Sequence, residues 1–587
     1  MIFSLLLIAI ILITAKETLF WAYILQLKEY RRDKLREYFK SPQGKASIFS
    51  KKYIIRIIVF LGLILVWGLI EINANNYNDV FFVLASLIIV ADGCRSWRSL
   101  IRWIKKPDPT KRMMLIIITT TLINIAIIGA IIVAIIMMYN QFDSDEFFVT
   151  IYDIFRRYIL PFYALQSIPR LPLLIAHLLI LPLSIYQKKK ILWQAKAYIA
   201  RQWRTTIGIS GSYGKSSVKM FLDAVLRSQY PVLTTPGNVN TEIGISQFVL
   251  TEWDSQTVRQ WNSESGNNSK SKIHNPKSHF FICEMGTYAI GETAIIGGIV
   301  NHHYGFLTGL NNQHIDLFGS LANAITAESE ILINLRRVSW TIYANRDDPL
   351  VRSVSFAWVT LVRYSITNPT ADIYISDIIG QPWNYSFTFH DKRLGTSDHQ
   401  RGTIVQTNVL GRHNILNLAG VIACALDQEI SRENLQTIIK HIGEKQKTLH
   451  ISIIPNHQLT NSPNIQLIDD TYNMNQHGVK AWLDLLSEYP TKKVVVIDEI
   501  IELGSESEET HRQIGQTLSR YDLDLIILTG KNYGTYIAAG YTGKALIIQS
   551  FIDWPATCLD SIKTLDTDVT IIFLGRWTQN LLQLLKK

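Results

Sequence analysis

The sequence predicts two kinds of structure in one chain: a multi-pass α-helical membrane domain, followed by α/β domains of which the first holds a phosphate loop and the second is Rossmann-like. Three observations predict it. Long Ile/Leu/Val/Ala/Phe runs dominate up to Gln187, whereas beyond Arg201 strand-like and helix-like segments of ordinary soluble composition alternate. Between a β-branched strand and an amphipathic helix stands the Gly-rich stretch GSYGKSS, Gly211 to Ser217. At 587 residues the chain is also too long for a single hydrophobic core.

Five apolar runs are long enough to span, at Ile2 to Gln26, Tyr53 to Ile70, Val80 to Ala91 with its flanks, Met113 to Tyr139, and Leu171 to Gln187. The first has neither a basic residue ahead of it nor a small-residue cleavage site, so it is expected to be a retained anchor. Lys28, Arg31, Arg32, Lys34, Arg36, Lys51 and Lys52 follow the first run, and Arg95, Arg98, Arg102, Lys105, Lys106, Lys111 and Arg112 follow the third. Those loops are expected to face the cytoplasm, whereas Glu71, Asp79, Asp143, Asp145 and Glu146 mark the outer side. The expectation is therefore a plasma (inner) membrane protein with its amino terminus outside. An odd number of spans brings the chain back to the ATP side at Lys188, Lys189 and Lys190. The stretch Phe147 to Arg170 holds Arg156, Arg157, Pro161 and Pro169, and reads as interfacial or re-entrant. A sixth span there would put the phosphate loop outside. Lys16, Glu17 and His177 fall within spans, where pairing, snorkelling or a bundle hydrogen bond accounts for them more readily than a substrate path.

The net charge of +10 does not point to nucleic acid, because many of the basic residues sit between apolar runs. Cys94, Cys283, Cys424 and Cys558 are too scattered for a disulfide framework or a zinc pair. Residues 188–204 read as a basic amphipathic linker, 205–445 as the central nucleotide-binding domain, and 446–587 as the last domain. The run from Asp254 to His279 is rich in Ser, Asn, Lys and Gly without apolar periodicity, as expected of a surface insertion.

TTIGISGSYGKSSVKMFLDAVL places a strand, a Gly-rich turn and a helix beginning near Lys215 in the order a phosphate site needs. Gly211 and Gly214 let the backbone approach phosphate oxygens, with Ser212 and Ser217 in the same loop. The helix N-terminus favours negative charge, Lys215 offsets the β/γ phosphates, and Ser216 suits Mg²⁺. Ile209 stands where the general pattern has its first glycine.

From here to near the carboxyl terminus the chain resembles the Mur ligase family, and most of all its MurF type, which adds a dipeptide to a muramoyl peptide. The loop is similar to the family's G-[ST]-x-G-K-[ST]-[ST], and TTPGNVNTEIG (Thr234 to Gly244, with Asn238) to its segment beside the γ-phosphate and the substrate carboxylate. In ICEMGT, Glu284 matches a Mg²⁺-binding glutamate. LNNQHIDLFGSLANAITAESEIL brings a metal-binding histidine, His314, and puts Glu328 where relatives carry a lysine that is usually carbamylated. A glutamate already has the carboxylate which carbamylation supplies, so the resemblance implies a metal role for Glu328. ANRDDP (Ala344 to Pro349) is similar to the N-x-D-D turn, and GRHNILN to the helix start whose Asn414 and Asn417 contact nucleotide. Lys447 lies where relatives use an ATP-contacting arginine, with loss of the planar fork.

In the last domain LIDDTYNMNQ resembles the D-D-S-Y-N-A-N-P hinge, with Asp470 at the ribose position and Gln476 for the proline. VVVIDEIIELGSESEETH resembles G-x-M-x-E-L-G...H, with Ile497 and Glu499 replacing the glycine and methionine. LGRWT, Leu574 to Thr578, replaces the K-G-S-R segment that helps hold the amine.

The resemblance implies an ADP-forming amide ligase that uses ATP and Mg²⁺. Its catalytic residues would be Lys215, Asn238, His314 and Glu328, and its metal ligands Ser216, Glu284, His314 and Glu328. Its partners would be the lipid bilayer, a peptidoglycan precursor, lipid-linked or uridine-linked, and an amino acid or dipeptide. The family's soluble uridine-binding domain is replaced here by spans. Four other readings compete. They are a membrane-bound ATP-binding regulator or scaffold of cell-wall synthesis, an ATP-driven transporter, a folate ligase, and an amidating ligase with a zinc ribbon. A soluble folate gives no reason for spans, a second transporter-type nucleotide signature is missing, and scattered cysteines disfavour the ribbon.

Overall fold

The structure is a computed structural model. It describes residues 2–27, 78–102, 110–139, 170–201, 205–237, 239–252, 279–311, 315–335, 340–382, 384–394, 402–445, 451–455, 464–471, 474–500, 503, 506–530, 532–543, 546–547, 561–562, 565 and 568–585. The expected second span, the 147–169 stretch, nearly all of the polar insertion, Asn238, His314 and Lys447 lie outside the described residues. The chain divides into two units, Met1–Lys189 and Lys190–Lys587.

In the first unit α1 (Ile2–Leu27), α2 (Asn78–Arg102), α3 (Lys111–Tyr139) and the start of α4 (Arg170–Arg201) cover four of the five apolar runs. Among the described residues two helices are long and apolar enough to cross a membrane, at Ile8–Leu27 and Lys111–Ala130. A Cβ on Gly93 of α2 would fall 2.6 Å from Ala9 Cα of α1, so the missing side chain lets these helices touch. Trp21, Met113, Ile116, Ala176 and Ile180 pack together, and Ile8, Leu87, Leu122, Met137 and Leu179 are exposed. Lys16 Nζ lies 3.2 Å from Glu17 Oε1. Residues 188–201 continue α4 as helix, so the expected linker is helical over most of its length. Leu192, Ala195 and Ile199 join a core of the second unit.

The second unit has two sheets. The larger, with nine strands among the described residues, runs β2 (Val232–Thr234), β3 (Phe280–Glu284), β1 (Thr205–Ser210), β4 (Tyr304–Leu307), β5 (Thr341–Asn345), β6 (Thr360–Ser365), β7 (Ile373–Gln381), β8 (Asn384–Asp391), β9 (Thr403–Thr407). It is parallel through β7, and β8 and β9 are antiparallel. Its helices are α5 (Lys215–Leu226), α6 (Glu242–Glu252), α7 (Glu292–Val300), α8 (Leu321–Ser329), α9 (Pro349–Ser353), α10 (Arg412–Asp427) and α11 (Arg432–Lys440). Val218, Phe221, Leu222, Val225 and Leu226 recur along α5 at helical spacing and pack against the sheet with Ile415, Leu418 and Ile422 of α10. Each such side chain stabilises by roughly 1.5–3 kcal/mol. The opposite face is covered by Ile296 and Ile299 of α7 and by the end of α4.

The smaller sheet runs β10 (Ile451–Pro455), β11 (Asn464–Asp470), β15 (Val569–Leu574), β12 (Lys492–Ile497), β13 (Leu525–Leu528), β14 (Leu546–Ile547), all parallel except β10. Helices α12 (Gln476–Ser487), α13 (Ser507–Leu518), α14 (Gly534–Gly540) and α15 (Gln579–Leu585) accompany it, and separate cores fill its two faces. Full burial of strands such as Val494 to Ile497 explains their unbroken apolar runs in the sequence.

Candidate active site

Strand β1 lies between β3 and β4, so chain connections diverge on its two sides and leave a crevice at the carboxyl ends of the strands. Ser210, Glu284, Leu307 and Asn345 end four adjacent strands there, and Ile209 is in register with Glu284. The loop leaving β1 takes positive φ at Gly211 (134°) and Gly214 (82°). A Cβ on Gly211 would meet Thr308 Oγ1 at 2.4 Å, so only glycine passes. Gly214 caps α5 without a side-chain hydrogen bond, leaving the amides of the first helical turn for an anion.

Several loop groups are already committed to protein partners. The Gly211 amide donates to Glu328 Oε2 at 2.8 Å, and the Ser210 hydroxyl donates to the same oxygen. The Ser212 amide donates to Gly309 O at 2.6 Å. The Gly211 amide thus braces the turn, and the α5 amides remain for an anion. Lys215 Nζ reaches back to Gly211 O, over the loop. Glu328 is 4% exposed on α8, so its carboxylate faces the loop rather than solvent.

Ser216 Oγ lies 3.3 and 3.2 Å from the two Glu284 carboxylate oxygens. Glu284 is 4% exposed, and its amide is held by Thr235 Oγ1 at 3.1 Å. A hydroxyl and a carboxylate at this spacing suit Mg²⁺, which takes few protein ligands and fills its shell with phosphate and water. Among the described residues no three His, Cys, Asp or Glu side chains come close enough to hold a metal by themselves. Asn238 and His314 lie outside the described residues, so neither is placed against this pair.

At the start of α10, Asn417 lies against the loop: its Oδ1 is 3.1 Å from where a Gly214 Cβ would stand. Asn414 is 1% exposed and donates to Leu410 O at 2.7 Å, and its Oδ1 has no hydrogen-bond partner. An orphaned buried acceptor is costly and fits a donor brought by a ligand. His413 meets Trp482 edge-on at 5.3 Å, and burial lowers its pKa to about 4. A cavity of about 560 Å³ lies between the two α/β domains, lined by Asp347, Arg412, His413, Asp484 and Glu488 among others. Asp470 ends β11, and its Oδ2 accepts the Trp482 indole at 2.5 Å. Burial raises its pKa to about 7.

Lys219 and Tyr213 did not emerge as site residues from the sequence. Lys219 Nζ is 2.7 Å from Glu284 Oε2, although its position four residues after Lys215 on the same helix was a readable signal. The Tyr213 ring covers Gly309, its hydroxyl donates to Asp348 Oδ2, and the ring stacks on His477 of α12 at 5.4 Å. Burial, with Asp348 beside it, raises the Tyr213 pKa. Asp348 also accepts the Leu310 amide at 3.0 Å and caps α9 through Leu350 and Val351. The N-x-D-D turn thus reaches the phosphate loop through a tyrosine at its variable position.

A parallel sheet with this loop, Ser216 beside Glu284 and Asn417 against Gly214 is the arrangement of a nucleotide-dependent enzyme of the P-loop class. Residues 209–425 match the Mur ligase middle domain. The chain is 26% identical over 348 residues to the UDP-N-acetylmuramoyl-tripeptide--D-alanyl-D-alanine ligase of Bacillus subtilis, covering 59% of this chain and 67% of that protein. The Escherichia coli protein of the same name is 24% identical over 339 residues, covering 58% and 67%. Among solved structures, MurF from Acinetobacter baumannii shares the fold with a TM-score of 0.56 at 21% identity, covering 68% of this chain and 81% of that one. MurF from Thermotoga maritima, in complex with ADP, gives 0.51 at 18%, covering 68% and 82%. Residues 209–425 thus match a Mur ligase middle domain, and the chain is similar to MurF ligases in sequence and shares their fold.

Proposed function

We propose that this chain is a membrane-anchored, ADP-forming amide ligase that extends a peptidoglycan precursor through an acyl phosphate. The observation that supports it most is the pair Ser216–Glu284, 3.2 Å apart beside the phosphate loop, with Asn417 against Gly214. A precursor carboxylate attacks the γ-phosphorus of ATP, forming the acyl phosphate and releasing ADP. An amine then adds to the carbonyl, and phosphate leaves as the amide forms. Lys215 and the α5 amides hold the transferring phosphoryl group, and charge developing on its oxygens is stabilised where donors are already oriented.

Mg²⁺, when bound, supplies charge neutralisation and orientation of the phosphates. Ser216 and Glu284 would hold one ion, His314 and Glu328 the other. Asn238 belongs beside the γ-phosphate, Asn414 and Asn417 at the nucleotide, Lys447 near ATP, and Asp470 at the ribose. Tyr213 and His477 link the loop to the last domain, whose approach excludes water that would hydrolyse the acyl phosphate.

The relatives' name gives the substrate proposal: a muramoyl peptide carboxylate and D-alanyl-D-alanine. The two apolar helices at Ile8–Leu27 and Lys111–Ala130 support membrane anchoring, and the proposal puts the catalytic domains in the cytoplasm and makes the precursor lipid-linked. Full chain in proteoliposomes, given Mg·ATP and D-alanyl-D-alanine, should release ADP faster with a lipid-linked precursor than with a soluble uridine-linked one. Equal rates would remove the lipid-substrate part of the proposal. A membrane-bound ATP-binding regulator is the second reading, favoured by Glu328 Oε2 being committed to the loop. ADP release that needs both substrates rejects it.

A further inference from the structure

Lys219 is buried beside the metal-binding carboxylate of the proposed site. Its Nζ stands 2.7 Å from Glu284 Oε2, with the two side chains 9% and 6% exposed, and 3.4 Å from Gly237 O in the loop after β2. Lys215, one turn earlier, turns the other way, to Gly211 O. The two lysines therefore do different work: one covers the phosphate loop and the other neutralises Glu284.

A carboxylate this buried is strongly unfavourable unless a cation accompanies it. With Lys219 in place, a divalent ion arriving alone meets a carboxylate that is already balanced, and a nearby ammonium that repels it. A divalent ion arriving with a nucleotide brings phosphate oxygens whose charge offsets that repulsion, and Mg²⁺ sites of this type are completed by substrate phosphates. We propose that Lys219 is the resident counter-cation of Glu284, a positioning residue that keeps the site charge-balanced without metal and makes divalent-ion binding conditional on nucleotide. The inference rests on the reading of Ser216 and Glu284 as metal ligands.

The test is Mn²⁺ titration of the full chain in detergent, followed by electron paramagnetic resonance, with and without ADP. Wild type should bind Mn²⁺ weakly alone and at least about tenfold more tightly with ADP, a difference of about 1.4 kcal/mol. Lys219→Met should bind Mn²⁺ alone about tenfold more tightly than wild type, and Mn²⁺ should raise its melting temperature more than that of wild type. Lys219→Arg, which keeps the charge, should bind Mn²⁺ alone as wild type does. Metal-alone affinity in Lys219→Met equal to or weaker than wild type overturns the inference. Should Lys219→Met not fold, wild type decides, because Mn²⁺ affinity that is the same with and without ADP also overturns it. If wild type binds ADP but no Mn²⁺ in either condition, the metal-ligand reading itself falls, and the inference with it.

Discussion

Glu328 Oε2 accepts the Gly211 amide at 2.8 Å and so ties helix α8 to the first residue of the phosphate loop. The Ser210 hydroxyl shares that oxygen. A carboxylate that resemblance places at a metal thus braces the turn proposed to bind phosphate. Glu328→Ala leaves the Gly211 amide without this acceptor, at about 1–3 kcal/mol where it stays buried, whereas the Ser210 hydroxyl keeps the main-chain oxygen of residue 328 at 3.0 Å. Glu328→Gln keeps an acceptor oxygen and loses the charge. Thermal denaturation should show a clear drop for the alanine variant and a smaller one for glutamine. If Glu328 also holds the second Mg²⁺, the glutamine variant should need more Mg²⁺ for half-maximal ADP release. Equal melting temperatures for alanine and wild type would contradict the bracing role.

Lys215→Met should lower kcat by about a hundredfold or more, the usual loss when one preoriented stabiliser of transition-state charge is removed. Its Nζ contacts the Gly211 carbonyl on the partly exposed loop, so stability should change little. Steady-state ADP release and circular dichroism together check both halves. A variant with near-normal turnover would remove Lys215 from the chemistry.

Asp470 gives the site a pH dependence with a definite sign. Burial raises its carboxyl to about 7 from an ordinary 3.8, so folding favours the protonated acid. Its contribution to stability is fully present below pH 3.8 and is lost as pH rises through about 7. A ribose hydroxyl donates best to the ionised form, so ADP affinity should rise between about pH 6 and 8, where this group ionises. Calorimetry in buffers of different ionisation enthalpy should show proton release on binding, and Asp470→Asn should abolish it. Proton release that persists in Asp470→Asn would assign the effect to another group.

Tyr213 links three parts of the site, and glycine 309 makes room for it. A Cβ on Gly309 would fall 2.2 Å from Tyr213 Cζ, so Gly309→Ala must expel the ring from Asp348 and from His477. Tyr213→Phe removes only the hydroxyl bond to the Asp348 carboxylate, worth about 1.5–3 kcal/mol. Gly309→Ala should therefore cost more in kcat than Tyr213→Phe, and a nucleotide-bound structure of Gly309→Ala should show the ring displaced. Equal activities for Gly309→Ala and wild type would show that the stack does not matter.

Much of this site was legible because its chemistry is local. Gly211, Gly214, Lys215 and Ser216 share one turn, and their order along strand, loop and helix sets their geometry. Glu284 and Asp470 stand at strand ends, which the apolar runs ahead of them mark. What escaped depends on contacts across the sheet. The Lys219–Glu284 pair joins α5 to the end of β3, the Tyr213–Asp348 bond joins the loop to the turn after β5, and the Tyr213–His477 stack joins two domains. No local periodicity encodes such partners. Glu328 shows the same limit: the resemblance implied a metal ligand, whereas its hydrogen bonds to the loop required the fold. Helix α4 running through residues 188–201 was hidden by its charge, since Lys188, Lys189 and Lys190 read as a linker.

Under the proposed function a precursor carboxylate takes the γ-phosphoryl group of ATP at this loop. Positional isotope exchange in ATP labelled at the β,γ-bridging oxygen tests it most directly, using full chain in proteoliposomes with Mg²⁺ and a muramoyl-peptide precursor but no amine. Reversible acyl-phosphate formation should move the label to non-bridging β positions only when the precursor is present, and Lys215→Met should abolish the exchange. No exchange with lipid-linked or uridine-linked precursor, together with no ADP release on adding D-alanyl-D-alanine, would contradict the ligase account.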